Sequence, residues 1–221
     1  MSRQDLYMSV AFFALIAYLL FRNLPGALIF LRPGWIRTRI AGGADQVVGT
    51  TPAMRQMLGE LEDDGFEPLG VITEKRPLRQ GVEEQVLVHL EGGCYAGVRQ
   101  VGNEAWLSLI SPFSDGAMVI TTDYRFPSVD ADDYLAGGLP GNGPLELLNA
   151  HRRRVQRFIE AGHPLDDRFT LEARAQAGEA FYAKGPGRRE IRRSEIRSTV
   201  IATLAVVWAV MYARGLIQNV L

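Results

Sequence analysis

Cysteine, histidine and net charge are all scarce in this 221-residue chain, and each shortage excludes a class of function. The single cysteine, Cys94, excludes a disulfide framework and any metal centre built from several cysteines. Three histidines leave little material for a histidine-built metal site. The 24 basic residues nearly balance the 25 acidic ones, which excludes a nucleic-acid binder that works through bulk positive charge. We therefore predict no metal, no cofactor and no nucleic-acid partner.

Charge is also missing from two apolar stretches near the ends of the chain. Residues 198–213 carry no charged side chain and have no polar face at any helical phase, which is typical of a membrane-spanning helix. Trp208 and Tyr212 lie near the far end of this stretch, where aromatic side chains favour the membrane interface. The sequence therefore predicts a transmembrane helix within residues 198–221.

The N-terminal apolar stretch is shorter. Residues 6–21 are uncharged, but at ~1.5 Å per residue they cover only ~24 Å of a ~30 Å hydrocarbon core. Arg22 interrupts the stretch, and Pro25 can bend the chain before a second apolar run. We prefer a span over residues 6–21 followed by an interfacial segment over residues 24–31; the alternative is one kinked helix. A cleaved signal peptide is a third interpretation, disfavoured because no small-x-small pattern follows the apolar run.

Basic residues beside the two stretches predict an orientation. Nine flank the middle of the chain, against two at the outer ends, Arg3 and Arg214. By the positive-inside rule, the segment 33–197 lies in the cytoplasm and both termini lie outside. We thus expect a bacterial inner-membrane protein with an N-terminal transmembrane or interfacial segment (1–32), a cytoplasmic domain (33–197) and a C-terminal transmembrane helix (198–221). The nine residues are Arg32, Arg37, Arg39, Lys184, Arg188, Arg189, Arg192, Arg193 and Arg197.

The middle segment changes its hydrophobic period along the chain. Helical spacing and cap signals predict helices over 52–62, 144–161 and 170–184. Between the first two, alternating segments predict five strands joined by short Gly-containing turns, and such turns make neighbouring strands antiparallel. The predicted fold is α+β: an antiparallel meander of about five strands flanked by helices, with one transmembrane helix at each end. The strands are 66–75, 84–90, 93–101, 104–112 and 117–124, and residues 130–143 are expected to form a loop.

Two arginine-rich segments are candidate contacts for anionic lipid or for a partner protein. One follows His151 on a predicted helix, and the other precedes the final span, where arginines at spacings of three and four gather on one side of a helix. We predict contact with anionic headgroups, and self-association or docking to a membrane protein. The candidates are Arg152, Arg153 and Arg157 in the first segment and Arg188, Arg189, Arg192 and Arg193 in the second.

Three hypotheses cover the function. The first is an accessory, scaffold or interaction module within a larger membrane complex, and the chain is then not an enzyme. The second is a membrane-anchored sensory domain that binds a small ligand between sheet and helices. The third is a membrane-tethered hydrolase that uses His151 with an acidic residue from the Asp130–Asp133 loop. For Cys94, which alternates into a strand without basic neighbours, we predict a buried, unreactive thiol.

Overall fold

The fold is a twisted sheet covered by helices on both faces, with two long helices attached. A computed structural model of the chain describes residues 3–46, 48–49 and 51–220. The helices are α1 (Arg3–Leu31), α2 (Pro52–Asp63), α3 (Pro144–Glu160), α4 (Leu171–Ala183) and α5 (Gly187–Val220), with a short 3-10 turn at Pro33–Trp35. The strands are β1 (Arg37–Gly42), β2 (Glu67–Lys75), β3 (Val82–His89), β4 (Cys94–Val101), β5 (Glu104–Pro112), β6 (Met118–Thr122), β7 (Val129–Ala131) and β8 (Tyr134–Gly138).

The strands form one sheet in the order β1-β2-β3-β4-β5-β6-β8-β7. From β1 to β6 all neighbours are antiparallel, so the predicted five-strand meander is present as β2–β6. The count of about five strands is wrong, because eight strands pair in this sheet. Strand β1 extends one edge, and β7 and β8 extend the other.

The expected loop over residues 130–143 is also wrong. Tyr134–Gly138 forms strand β8, which runs parallel to β6, and β7 pairs with β8 as a short hairpin. Four of the five β8 residues are buried, so this strand forms by non-local packing rather than by local periodicity. Gly138 is required here, since a Cβ at this position would lie 2.0 Å from the backbone oxygen of Tyr124.

The helices of the middle segment begin where their capping residues predict. Thr51 accepts a hydrogen bond from the Met54 amide at the start of α2, and Thr170 accepts one from the Ala173 amide at the start of α4. Pro144 opens α3 at the first helical position. The three predicted helices of this segment are confirmed to within one or two residues at each end.

Both faces of the sheet are covered. Helices α2 and α3 bury one face in a core that includes Met54, Leu87, Leu109 and Leu147. On the other face, α4 packs over Ile72, Val86 and Tyr95, and Ala177 and Phe181 of the same helix reach Tyr134. Cys94 is fully buried in the first core, as predicted, and burial raises the pKa of its thiol to about 12.

Helix α1 is continuous from Arg3 to Leu31 with Pro25 inside it. The helix does not break after residue 21 as the preferred interpretation expects, and its continuity agrees with the alternative of one helix; which of its residues cross a membrane stays a prediction. Asn23 is buried and donates a hydrogen bond from its side chain to the Leu19 carbonyl four residues earlier. This internal bond lets a polar residue remain within the apolar helix next to proline.

Helices α1 and α5 are each long and apolar enough to cross a membrane, over Leu6–Leu31 and Gly187–Gly215. Only 11% of the most apolar window of α5 is buried against the rest of the protein, whereas a core helix of a soluble protein is mostly buried. Its outward side chains include Val200, Leu204 and Met211, which are more than half exposed. These features are consistent with a membrane protein.

The two long helices pack against each other in antiparallel fashion. Near one end of the pair, Ser9 and Tyr212 share a hydrogen bond of 2.8 Å, and the rings of Phe12 and Tyr212 stack at 4.2 Å. Near the other end, Gly26 allows close approach, because a Cβ there would lie 2.7 Å from the Ser198 Cβ. The N-terminal end of α1 and the C-terminal end of α5 thus lie side by side, away from the sheet.

Candidate ligand cavity

A cavity of about 350 Å³ lies between the sheet and the helices α4 and α5. Its floor comes from strands β1 to β6 and β8, and its roof comes from α4, from Arg174 to Tyr182, and from the first turns of α5. The roof side chains are Arg174, Phe181, Tyr182, Glu190, Ile191 and Ser194, together with the backbone at Gly178. A cavity of this size is at the lower end of the range seen for small-molecule sites.

The charged part of the cavity lies over β2, β3 and β4. Glu84 on β3 is 1% exposed and accepts hydrogen bonds from two arginines, Arg99 at 2.6 Å and Arg174 at 2.7 Å. Glu74 on β2 accepts from Arg76 at 2.9 Å and from the Tyr182 hydroxyl at 3.3 Å. Buried ions are tolerated when they are paired and hydrogen-bonded, and the two carboxylates meet that condition.

Strand geometry produces this cluster. Gln85 pairs with Val98 across β3 and β4, which places Glu84 and Arg99 side by side at the end of the ladder. Gly97 makes room for the Glu84 carboxylate, because a Cβ at Gly97 would lie 2.4 Å from its Oε1 atom. Arg174 then reaches Glu84 from α4 on the opposite side of the cavity.

The arginines control the ionisation of the cluster. Burial alone would raise the pKa of Glu84, but the charges of Arg99 and Arg174 and their hydrogen bonds outweigh it and hold that pKa below its usual value. The charge of Glu84 raises the pKa of Arg99 in turn, against the effect of burial. Glu84 therefore stays a carboxylate and Arg99 stays a cation at neutral pH.

The remaining part of the cavity is apolar and aromatic. Ile110, Met118 and Ile120 rise from β5 and β6, and Phe126 and Phe181 complete the wall. Tyr134 on β8 packs against Phe181 with ring centroids 5.3 Å apart. The cavity thus has a charged half over β2–β4 and an apolar half over β5–β8.

Two buried polar atoms on lining side chains have no hydrogen-bond partner within the described part of the chain. They are the hydroxyl of Tyr134, a residue 2% exposed, and Nε of Arg174, a residue 5% exposed. Buried polar groups are normally satisfied, and an unsatisfied one costs ~1–3 kcal/mol. Both atoms are hydrogen-bond donors on residues that line the cavity.

His151 lies in the opposite layer and contacts no carboxylate among the described residues. It is completely buried between Ser111, 2.9 Å from Nε2, and Thr121, 2.9 Å from Nδ1. The Ser111 hydroxyl donates to the Gly93 carbonyl, and Arg154 donates to Thr121. These bonds fit a neutral imidazole that donates from Nε2 and accepts at Nδ1, so every member of the network is satisfied.

This arrangement separates the residues of the hydrolase hypothesis. Asp130 is exposed and pairs with Arg157 at 2.8 Å, and Asp133 pairs with Arg189. Neither carboxylate reaches His151. Burial, with a smaller effect from Arg154, lowers the pKa of His151 to about 3, which makes it a poor base near neutral pH.

The arginines predicted to face lipid or a partner divide into two groups. Arg152, Arg153 and Arg157 lie on α3, on the sheet face opposite α4 and α5. Arg153 is exposed, Arg157 is held by Asp130, and Arg152 is half-buried. Arg157 reaches the β7–β8 hairpin through Asp130, the same hairpin that Arg189 of α5 reaches through Asp133.

The second group lies at the start of α5, in the helical conformation that its spacing predicts. Arg188 and Arg193 are exposed, Arg189 pairs with Asp133, and Arg192 donates to the Phe30 carbonyl of α1 at 3.3 Å. Arg192 thus ties the two long helices together, while Arg188 and Arg193 extend outward.

The cavity residues were not among the sequence candidates. The sequence of β3 contains one indication of the cluster. Residues two apart in a strand lie on the same face, so Glu84 shares a face with Val86 and Val88 and is expected to be buried. The partner Arg174 is 90 residues away, and no local pattern links the two. A charged residue at a core position of a strand predicts a buried ion pair, but it does not identify the partner.

Comparison of the chain with protein-family models, with curated proteins and with solved structures finds no match in any of the three. The function is therefore argued from the cavity and its surroundings.

Proposed function

We propose that this protein is a membrane-anchored ligand-binding domain, with a small molecule held between the sheet and the helices α4 and α5. The observation that carries the proposal is the cavity of about 350 Å³, whose lining side chains include two buried polar groups without partners. Unsatisfied buried donors lower the stability of a fold, and a bound molecule that supplies acceptors would remove this cost at the same time as it filled the cavity.

The position of the cavity supports a sensory role. Glu190, Ile191 and Ser194 line it from the first two turns of α5, and the same helix continues to residue 220. Ile191 also packs with Ile29 of α1. A ligand that stabilises one position of these turns would change the packing of α1 against α5, because Ile191 contacts both the cavity and α1.

We place the domain in the cytoplasm of a bacterial cell, with α1 and α5 across the inner membrane and both termini outside. The basic residues beside the two spans support this orientation through the positive-inside rule. The antiparallel packing of the two helices supports the part of this arrangement that puts both termini on one side of the membrane, since it brings the two chain ends to the same end of the pair.

A thermal-shift screen of the full chain in maltoside micelles tests the proposal. A library of small metabolites of all charges is compared on the unmodified protein, on Ile120→Trp, which fills the apolar half of the cavity, and on Leu145→Trp, an exposed site on α3. We expect at least one compound that raises the melting temperature of the unmodified protein and of Leu145→Trp but not of Ile120→Trp. A screen without such a compound contradicts the proposal.

An accessory role in a membrane complex is the second candidate. The helix pair supports it: α1 and α5 bury one side of each helix in their pairing and leave large apolar side chains outward, among them Phe13, Val207 and Trp208. These side chains can contact lipid or the helices of another membrane protein. Cross-linking in native membranes from photoreactive groups at positions 13 and 207 tests this role, and products with lipid only contradict it.

A further inference from the structure

We infer that the ligand is a small organic carboxylate with an apolar body, its carboxylate over strands β3 and β4 and its body over β5 and β6. This inference rests on the proposed function and adds the chemical class of the ligand and its direction in the cavity.

The charged half of the cavity favours an anion. Three arginines and two glutamates form the cluster over β2–β4, which leaves one positive charge in excess in this half, whereas Glu190 on α5 balances it over the cavity as a whole. The guanidinium of Arg99 lines the cavity, and its side chain remains 31% exposed despite two carboxylate neighbours. A carboxylate placed beside it balances the cluster, and arginine is the side chain best suited to bind one.

The unpartnered groups favour a ligand that brings hydrogen-bond acceptors. The Nε–H of Arg174 is a donor only, and it belongs to the same cluster. The hydroxyl of Tyr134 is the other unpartnered group, and it lies on β8 at the apolar end of the cavity. A carboxylate over β3 and β4 supplies acceptors only, which matches what Nε of Arg174 lacks.

The positions of the lining residues on the sheet determine the direction of the ligand in the cavity and its length. Arg99 lies on β4 and Ile120 on β6, and two strand spacings correspond to ~10 Å. Between them, strand β5 contributes the polar residue Ser108 and the apolar residue Ile110 to the floor of the cavity. A molecule with an acid group at one end and an apolar ring or chain a few bonds away fits this gradient.

The main alternative to a carboxylate ligand is a ligand that carries an ammonium group. Glu190 lines the cavity from α5 on the side of Tyr134, and the ammonium group of such a ligand would lie beside it. Glu74 and Glu84 are already held by arginines, which leaves Glu190 as the carboxylate available to such a group. The test therefore compares ligands that differ in charge alone.

The probes are 4-phenylbutyrate, its uncharged amide and 4-phenylbutylamine, titrated calorimetrically into the full chain in maltoside micelles at pH 7.5. We expect the acid to bind at least tenfold more tightly than the amide and the amine. Ile120→Trp, which separates binding in the cavity from partition into the micelle, abolishes that binding.

One variant and its matched control test the contact with Arg174. Arg174→Lys keeps a cation beside Glu84 but removes Nε, and we expect at least tenfold weaker binding of the acid, whereas Arg168→Lys outside the cavity leaves it unchanged.

Tighter binding of the amine or the amide overturns the carboxylate assignment and leaves a ligand cavity in place. Binding of the acid that Ile120→Trp does not reduce, or an absence of binding by all three probes, also overturns it. The metabolite screen described above decides the broader proposal independently.

Discussion

The buried imidazole of His151 makes the stability of the fold depend on pH. In the unfolded chain its pKa is near 6.5, whereas burial lowers it to about 3 in the folded protein. Between these values the unfolded state binds a proton that the folded state does not. Stability from this residue is therefore complete above pH 6.5 and is lost progressively as the pH falls toward 3.

Thermal and urea unfolding of the full chain at pH 7 and pH 5 checks this effect. We expect the free energy of unfolding to fall by about 2 kcal/mol between the two values because of His151 alone. His151→Gln is less stable at pH 7, since it disturbs the bonds to Ser111 and Thr121, but it loses this pH dependence. His163→Gln, at a partly exposed site, keeps the dependence. If the free energy of unfolding of His151→Gln fell between pH 7 and pH 5 as much as that of the unmodified protein, His151 would have an ordinary pKa in the folded state.

At the scale of secondary-structure elements, strand β8 depends on glycine for its place in the sheet. A Cβ at Gly138 would lie 2.0 Å from the Tyr124 carbonyl oxygen, which belongs to backbone and cannot move freely. A Cβ at the neighbouring Gly137 would meet only the guanidinium of Arg154, at 3.2 Å. We therefore expect alanine to be tolerated at Gly137 and to destabilise the fold at the adjacent Gly138.

We expect Gly138→Ala to lower the free energy of unfolding by about 3 kcal/mol, in the range of overpacked cores, and Gly137→Ala to change it by less than about 1 kcal/mol. Because β8 carries Tyr134 in the cavity wall, Gly138→Ala also weakens ligand binding. Chemical denaturation of both variants measures the difference. Equal stability of the two would mean that β8 does not pair with β6 as described.

The elements differ in how far the sequence predicts them. Strands β2–β6 and the capped helices follow from local signals, namely period-two alternation, glycine turns, and Thr or Pro at helix starts. Strand β8 could not be predicted, because its pairing with β6 is parallel and its Gly- and Ala-rich sequence has no strand periodicity. The charged cluster likewise joins residues of distant elements. Its one indication in the sequence is Glu84, which lies on the same face of β3 as the buried residues Val86 and Val88.

At the scale of the whole molecule, the uncharged stretches of α1 and α5 lie side by side. Residues 6–21 and 198–213 are sixteen residues each, or ~24 Å of helix. Ser9 meets Tyr212 within both stretches, whereas Ser198 lies beside Gly26, five residues beyond the first stretch, so the two are offset by several residues. Arginines border the helix pair at the end nearer the sheet, where Arg188, Arg193 and Arg197 are exposed.

Arg188 and Arg193 are the exposed members of the second predicted group, and Arg197, one turn further along α5, is exposed beside them. We propose that they bind anionic headgroups, each contributing about 1 kcal/mol near the surface. We expect the full chain to melt at a higher temperature in phosphatidylglycerol than in phosphatidylcholine nanodiscs at low salt. The difference decreases at 0.5 M salt, because the Debye length shortens.

Changing the three arginines to Gln should remove the difference between the lipids, whereas changing Arg152 and Arg153 of α3 to Gln should preserve it. Equal melting in both lipids at low salt would refute the lipid contact and leave these arginines with a role in topology or in binding a protein.

Native mass spectrometry of the full chain, purified from its own membranes without added ligand, tests the central claim that the cavity beneath α4 and α5 holds a small molecule. We predict a bound mass of a few hundred daltons at most, released on unfolding, present in Leu145→Trp and absent from Ile120→Trp. An identical mass of protein alone in all three, or a bound mass that Ile120→Trp retains, would contradict it.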